Sequence, residues 1–200
     1  MKKTLFLIII LAVLLLVNCS KSENSTGNPF DSYSDEELLE AGWEEFRNDM
    51  YLSATDYFFE IINRDKFLAN ANTGLGWSFM MFDSLNYVED YFTEAKQNSP
   101  NDSLLDDINA GLTFYYEAIT DYEQVLSVSD SIGAEWVFDY NDNLAYLQII
   151  VSRAASCYAL SDFEGSLNEI QKILPDFNVD VTTVEGRMQL ADKIEELRWQ

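Results

Sequence analysis

Two stretches of the chain repeat one another at an offset of 34 residues. Ala41-Gly42-Trp43 recurs as Leu75-Gly76-Trp77, and the same step relates Ala54 to Val88, Tyr57 to Tyr91, Phe58 to Phe92, Glu60 to Glu94 and Ile61 to Ala95. Self-similarity at a period of this size marks stacked supersecondary units, each too small to bury its apolar face alone. Around these positions apolar residues return every three or four places, with short polar breaks and few β-branched runs, which predicts helices. Gly42 and Gly76 predict a second helix passing close to the first, with Ala54 and Val88 in the crossing. Asn98-Ser99-Pro100 closes the second copy, because proline ends one helix and suits the start of the next.

A 34-residue period with a small residue in the first helix, small or aromatic residues in the second and a closing proline resembles the tetratricopeptide repeat (TPR). The expected fold class is therefore all-α: a TPR-like α-solenoid of about three to four helical hairpins plus a C-terminal capping helix, over residues 35–198. Ser34-Asp35-Glu36-Glu37 reads as a capping box that starts it. Ala110-Gly111-Leu112 continues the series within a helix over 102–118, with the spacing no longer kept, and Asp121-Tyr122-Glu123 is the turn into a partner helix over 123–129. Residues 129–141 (SDSIGAEWVFDYN) read as a longer irregular connection. The pattern returns over 144–160 and 163–174, closed by Pro175, with Ala154 in the glycine's role and Ser166 in the crossing. Thr182-Thr183-Val184-Glu185 opens a last helix to about Arg198, which a stack needs to cover its final apolar face.

The N-terminal segment has a different character. Met1-Lys2-Lys3 precedes an unbroken apolar run from Leu5 to Val17, too short for a good spanning helix and suited to a secretory leader. Leu16-Val17-Asn18-Cys19-Ser20 resembles the lipobox of bacterial lipoproteins, with Asn18 where a small residue is usual. That resemblance implies a leader over residues 1–18, removed before Cys19, and lipidation of Cys19. Two or three acyl chains, at ~0.8 kcal/mol per buried methylene, hold a protein firmly at a bilayer. Residues 19–34 then form a lipidated tether, rich in Ser and Asn and reaching roughly 20 Å as a flexible coil. Cys157 is left without an intramolecular partner and sits among apolar helical residues, as a small buried hydrophobe does. Ser20 leans towards an outer membrane, with the protein facing the periplasm.

Composition narrows the function. There are 35 acidic against 12 basic residues and no histidine, for a formal net charge of −23. So acidic a chain is a poor partner for nucleic acid. Without histidine there is no Ser/His/Asp or Cys/His catalysis and no His-ligated zinc. Asp139-Tyr140-Asn141-Asp142-Asn143 falls short of a calcium loop, since Leu144 stands where the sharp turn needs glycine and Ile150 where the bidentate glutamate belongs. Gly74-Leu75-Gly76 lies inside a helical repeat with no Lys-Ser/Thr after it, so it is not a phosphate loop. The expectation is no enzyme, no cofactor and no metal.

The TPR resemblance places a partner groove on the first helix of each pair. It implies Leu39, Trp43, Phe46 and Arg47 in the first repeat, Thr73, Trp77, Met80 and Met81 in the second, Tyr115 and Tyr116 in the third and Tyr158 in the fourth. This would be an aromatic groove on an acidic body, and Trp and Tyr dominate binding hot spots. The same aromatics at helical spacing are equally what a buried core looks like. The expected role is a lipid-anchored cell-envelope adaptor that binds a protein or peptide segment. The alternatives are an outer-membrane or secretion-system assembly factor held in a stable complex, or a glycan-binding lipoprotein. A small-molecule ligand is not expected.

Overall fold

The computed structural model describes residues 28–98 and 100–198. The leader, Cys19 and most of the tether lie outside the described residues. Two compact units are distinguished, Met1–Ser32 and Tyr33–Gln200. Of the first, the described part makes a turn closed by Asp31 N–H donating to Asn28 O at 3.0 Å. Everything below concerns the second.

The described residues form nine α-helices: α1 (Asp35–Arg47), α2 (Tyr51–Asn63), α3 (Leu68–Met81), α4 (Val88–Gln97), α5 (Asp102–Ala118), α6 (Tyr122–Ser129), α7 (Tyr146–Ala159), α8 (Phe163–Ile173) and α9 (Val184–Arg198). Among the described residues there is no strand, and none of these helices is long and apolar enough to cross a membrane. Each helix packs on the next, as short connections dictate. The first members of successive pairs also meet: α1 touches α3, α3 touches α5 and α5 touches α7.

One turn closes all four hairpins. Asp49, Asp83, Thr120 and Ser161 have positive φ, just past the ends of α1, α3, α5 and α7. In each, two amide N–H groups return to the last helical turn. Asp49 and Met50 donate to Phe46 and Glu45, and Asp83 and Ser84 to Met80 and Phe79. Thr120 and Asp121 donate to Glu117 and Tyr116, and Ser161 and Asp162 to Tyr158 and Cys157. This bond pair satisfies carbonyls that a helix end leaves orphaned and reverses the chain sharply. In the third and fourth hairpins the next residue is itself a cap: Asp121 accepts from Gln124 N–H at 3.3 Å and Asp162 from Gly165 N–H at 2.9 Å. The Ser34 capping box forms in full, with Glu37 N–H donating to Ser34 Oγ and Ser34 N–H to Glu37 Oε2.

The close approach expected at the glycines is two-sided. A Cβ built on Gly42 would lie 2.8 Å from the Phe58 ring, and one on Gly74 would lie 2.4 Å from the same ring. Phe92 is held likewise between Gly76 and Gly111, at 2.8 and 2.2 Å. Each phenylalanine of a second helix is thus nested between two first helices. In the fourth hairpin the crossing is polar: the buried Ser166 Oγ donates to Ala154 O at 2.8 Å. Leu190, Ile194 and Leu197 of α9 then close a cluster with Val151, Ala154, Leu167 and Ile170.

Candidate functional site: an inner face filled by the chain itself

The connection between α6 and α7 is longer than the others and does not run over bare surface. Residues 130–145 form a strap laid across the first helices. Its start is fixed to α5 by three hydrogen bonds. Asn109 Nδ2 donates to Ser131 Oγ at 2.9 Å, Gly133 N–H to Asp106 Oδ2 at 3.2 Å, and Trp136 Nε1 to Asp107 Oδ1 at 2.8 Å. Its middle is an extended piece with an antiparallel bridge between Val137 and Ala145. Phe138 N–H donates to Leu144 O at 2.9 Å and Tyr146 N–H to Trp136 O at 2.9 Å, so the strap turns back on its own main chain.

The backbone about Val137 is extended, which sends Trp136 and Phe138 to one side and Val137 to the other, and Asp139 and Tyr140 follow in a turn closed by Asn141 N–H donating to Phe138 O at 3.1 Å. Trp136 and Phe138 are buried and Tyr140 is half-buried, whereas Val137 is 56% exposed and Asp139 is exposed. Phe138 is the centre. It stacks on Trp77 with centroids 4.2 Å apart and meets the edges of Trp43 and Phe46 at 6.1 and 6.0 Å. Tyr140 lies flat on Trp43, 3.8 Å away and within 7° of parallel. The Arg47 guanidinium sits 5.5 Å above the other aromatic of this pair, Tyr140, a cation–π contact.

The electrostatics of the strap are unfavourable in one respect. Burial pushes the Asp107 carboxyl up to about 6, and the nearby charges of Asp139 and Asp106 add to this, while the bond from Trp136 acts the other way. Burial also raises the Tyr140 phenol, with Asp107, Asp139 and Glu40 adding and Arg47 opposing. A polar crevice of about 330 Å³ opens beside Tyr140, lined by Arg47, Asp49, Tyr51, Asn141 and Asp142 among others. Among the described residues, no group of three or more Asp, Glu, Cys or His is placed to hold a metal ion. Also among them, the buried Trp43 Nε1, Trp77 Nε1 and Asn109 Oδ1 have no hydrogen-bond partner.

The chain matches no family model, no curated protein and no solved structure.

The residues expected to line one groove fall into separate places. Trp43, Phe46 and Trp77 are brought together around Phe138, with Arg47 at the rim. They form the wall under the strap and are not an open surface; Trp43 is only 2% exposed. Thr73 is fully buried, its hydroxyl donating to Ala69 O at 2.7 Å. Leu39, Met80 and Met81 are partly buried. Tyr115 and Tyr116 turn to α4, where both hydroxyls reach Glu89, at 3.5 and 2.8 Å. Tyr158 packs edge-on against Phe163 and lines a second crevice of about 330 Å³ with Tyr122, Ala155, Ile194 and Arg198. Sequence reasoning missed Trp136, Phe138, Tyr140 and Asp107. The alternation of three aromatics in Trp136-Val137-Phe138-Asp139-Tyr140 was a signal for an extended segment with one buried side.

Proposed function

We infer that the chain is a lipid-anchored adaptor of a bacterial cell envelope, built as a TPR-like solenoid, that binds an extended segment of another envelope protein on its first-helix face without catalysis. One observation carries the binding reading: that face already holds an aromatic segment of the chain's own, with Phe138 and Tyr140 against Trp43, Phe46 and Trp77. The TPR-like reading draws on the 34-residue recurrence, the turn common to four hairpins, the nesting of Phe58 and Phe92 between glycines, and the covering helix α9. The anchor draws on the order of basic start, apolar run and Cys19, and Ser20 favours an outer membrane facing the periplasm. The rigid stack orders its side of the interface in advance, which lowers the entropic cost of capturing a short segment. The acidic body favours basic partners, with association that slows as salt rises.

The test is photocrosslinking in native membranes from a probe at Val137, which is exposed beside the buried rings. The adaptor reading expects one envelope protein to be captured through a contiguous extended segment, and expects Cys19→Ala to release the protein from the membrane fraction. Crosslinks to lipid alone, with Cys19→Ala still membrane-bound, would contradict it.

A further inference from the structure

We propose that the strap is a displaceable stand-in for the partner, and that the segment replacing it carries aromatic residues at alternate positions with lysine or arginine beside them. This rests on reading the first-helix face as a peptide-binding one. Three features of the closed arrangement support it.

The first is unspent hydrogen-bonding capacity in the wall. Trp43 and Trp77 are almost wholly buried, and neither indole N–H has a partner among the described residues. Buried donors are rarely left so. Two carbonyls of the strap are already engaged: Trp136 O accepts from Tyr146 N–H and Phe138 O from Asn141 N–H. An extended segment from another chain has no such turn, and its carbonyls are free to accept.

The second is charge. The strap brings Asp139 towards the half-buried Asp107, and like charges in such a setting repel. A segment with a basic residue where the strap has Asp139 turns that repulsion into attraction, and a second in place of the exposed Glu135 suits a body with 35 acidic against 12 basic residues. The third is how the strap is held. Its turn is closed internally by Phe138 N–H donating to Leu144 O and Asn141 N–H to Phe138 O, and lifting it breaks no helical bond: what is lost is the bond from Tyr146 N–H, the first residue of α7, to Trp136 O and the bond from Trp136 Nε1 to Asp107. On α1 and α3 it is held by ring contacts, which an incoming aromatic segment reproduces.

The test uses the intact acylated protein in detergent micelles and a labelled heptapeptide, Lys-Trp-Val-Phe-Lys-Tyr-Asn, which is residues 135–141 with lysine in place of Glu135 and Asp139. Fluorescence anisotropy measures binding to the unmodified protein and to Phe138→Ala. Hydrogen exchange on the unmodified protein follows the amides of Phe138, Leu144 and Tyr146. We expect the peptide to bind, Phe138→Ala to bind it at least tenfold more tightly, and a version with serine for each aromatic to show no binding. We also expect the strap amides to exchange faster than those of α1 and α3, and faster still with peptide present. Equal or absent peptide binding by the two proteins overturns the proposal. So does strap exchange that matches α1 and α3 with and without peptide, a measurement that needs no variant to fold. If the Val137 probe or probes elsewhere on the first helices still capture an envelope protein, the adaptor reading survives that failure.

Discussion

Trp43 and Tyr140 lie face to face, their ring centroids 3.8 Å apart and their planes 7° from parallel. Almost a hundred positions separate them in sequence, and they join the first helix to the connection between the third and fourth hairpins. The contact turns an aromatic face into a covered one. It explains why the Trp43 indole on α1 is 2% exposed. Tyr140→Ala is expected to shift tryptophan emission to the red while far-ultraviolet circular dichroism stays unchanged. Loss of helicity in that variant would mean that the strap is part of the folding core.

Phe58 cannot move away from one glycine without meeting another, because Gly42 and Gly74 face the same ring. Gly74→Ala gains up to ~1 kcal/mol of helix propensity. Overpacking a filled site costs ~1–3 kcal/mol. The expected balance is a net loss of about 1–2 kcal/mol in chemical denaturation. Gly74→Ala combined with Phe58→Leu should be less destabilised than the sum of the two single changes, since the residues share one space. Gly111→Ala against Phe92 should behave in the same way.

The Asp107 carboxyl, held up at about 6 by burial, binds its proton more readily in the folded than in the unfolded chain. The folded state then carries the extra proton between roughly pH 4 and 6, so this group's contribution to stability is present at the acid end and is lost as pH rises through that window. A shift of about two units corresponds to at most ~3 kcal/mol. Asp107→Asn keeps an acceptor for the Trp136 indole and removes the buried charge. It should be more stable than the unmodified protein at pH 7, with the difference vanishing towards pH 4. Urea midpoints measured at both pH values check this, and an unchanged difference across the window would contradict it.

Arg153 ties three helices together. It donates to Ser129 Oγ at 2.7 Å and Leu126 O at 3.3 Å, and pairs with Asp130 at 2.7 Å and Glu169 at 3.0 Å. Glu169 is buried and also pairs with Lys172 at 2.7 Å. Removing one member of a buried pair costs ~3–5 kcal/mol when the other charge is left uncompensated; here Glu169 keeps the half-exposed Lys172, so the cost falls below that range. Arg153→Ala should therefore lower the thermal midpoint sharply. Glu169→Gln in the same chain should restore part of the loss, because no buried carboxylate is then left with the half-exposed Lys172 as its one cation.

Much of the helical order is legible in the residues themselves. The capping box at Ser34, the helix over 102–118 and the close approach at Gly42 and Gly76 follow from local chemistry and from the recurrence, whereas the recurrence puts Ala54 and Val88 in the crossing and it is Phe58 and Phe92 whose rings meet the glycines. The fourth hairpin is legible through Ala154 and Ser166, although α7 starts at Tyr146, because Leu144 and Ala145 complete the strap's turn. What periodicity does not give is which face is covered, and by what. Trp43 and Trp77 sit at positions that serve a groove or a core equally well. Only the long-range placement of Phe138 decides between them. Tyr115 and Tyr116 illustrate the same limit: their spacing fits the inner face, but Glu89 on α4 draws their hydroxyls the other way.

The covered first-helix face is tested most directly by fluorine NMR of the intact protein labelled with 5-fluorotryptophan, each resonance assigned by a Trp→Phe change. The account predicts that the Trp43 and Trp77 resonances are insensitive to exchanging H2O for D2O, and that Tyr140→Ala makes Trp43 sensitive while leaving Trp77 shielded. A Trp43 resonance that responds to solvent in the unmodified protein, or one that Tyr140→Ala leaves unmoved, would contradict it.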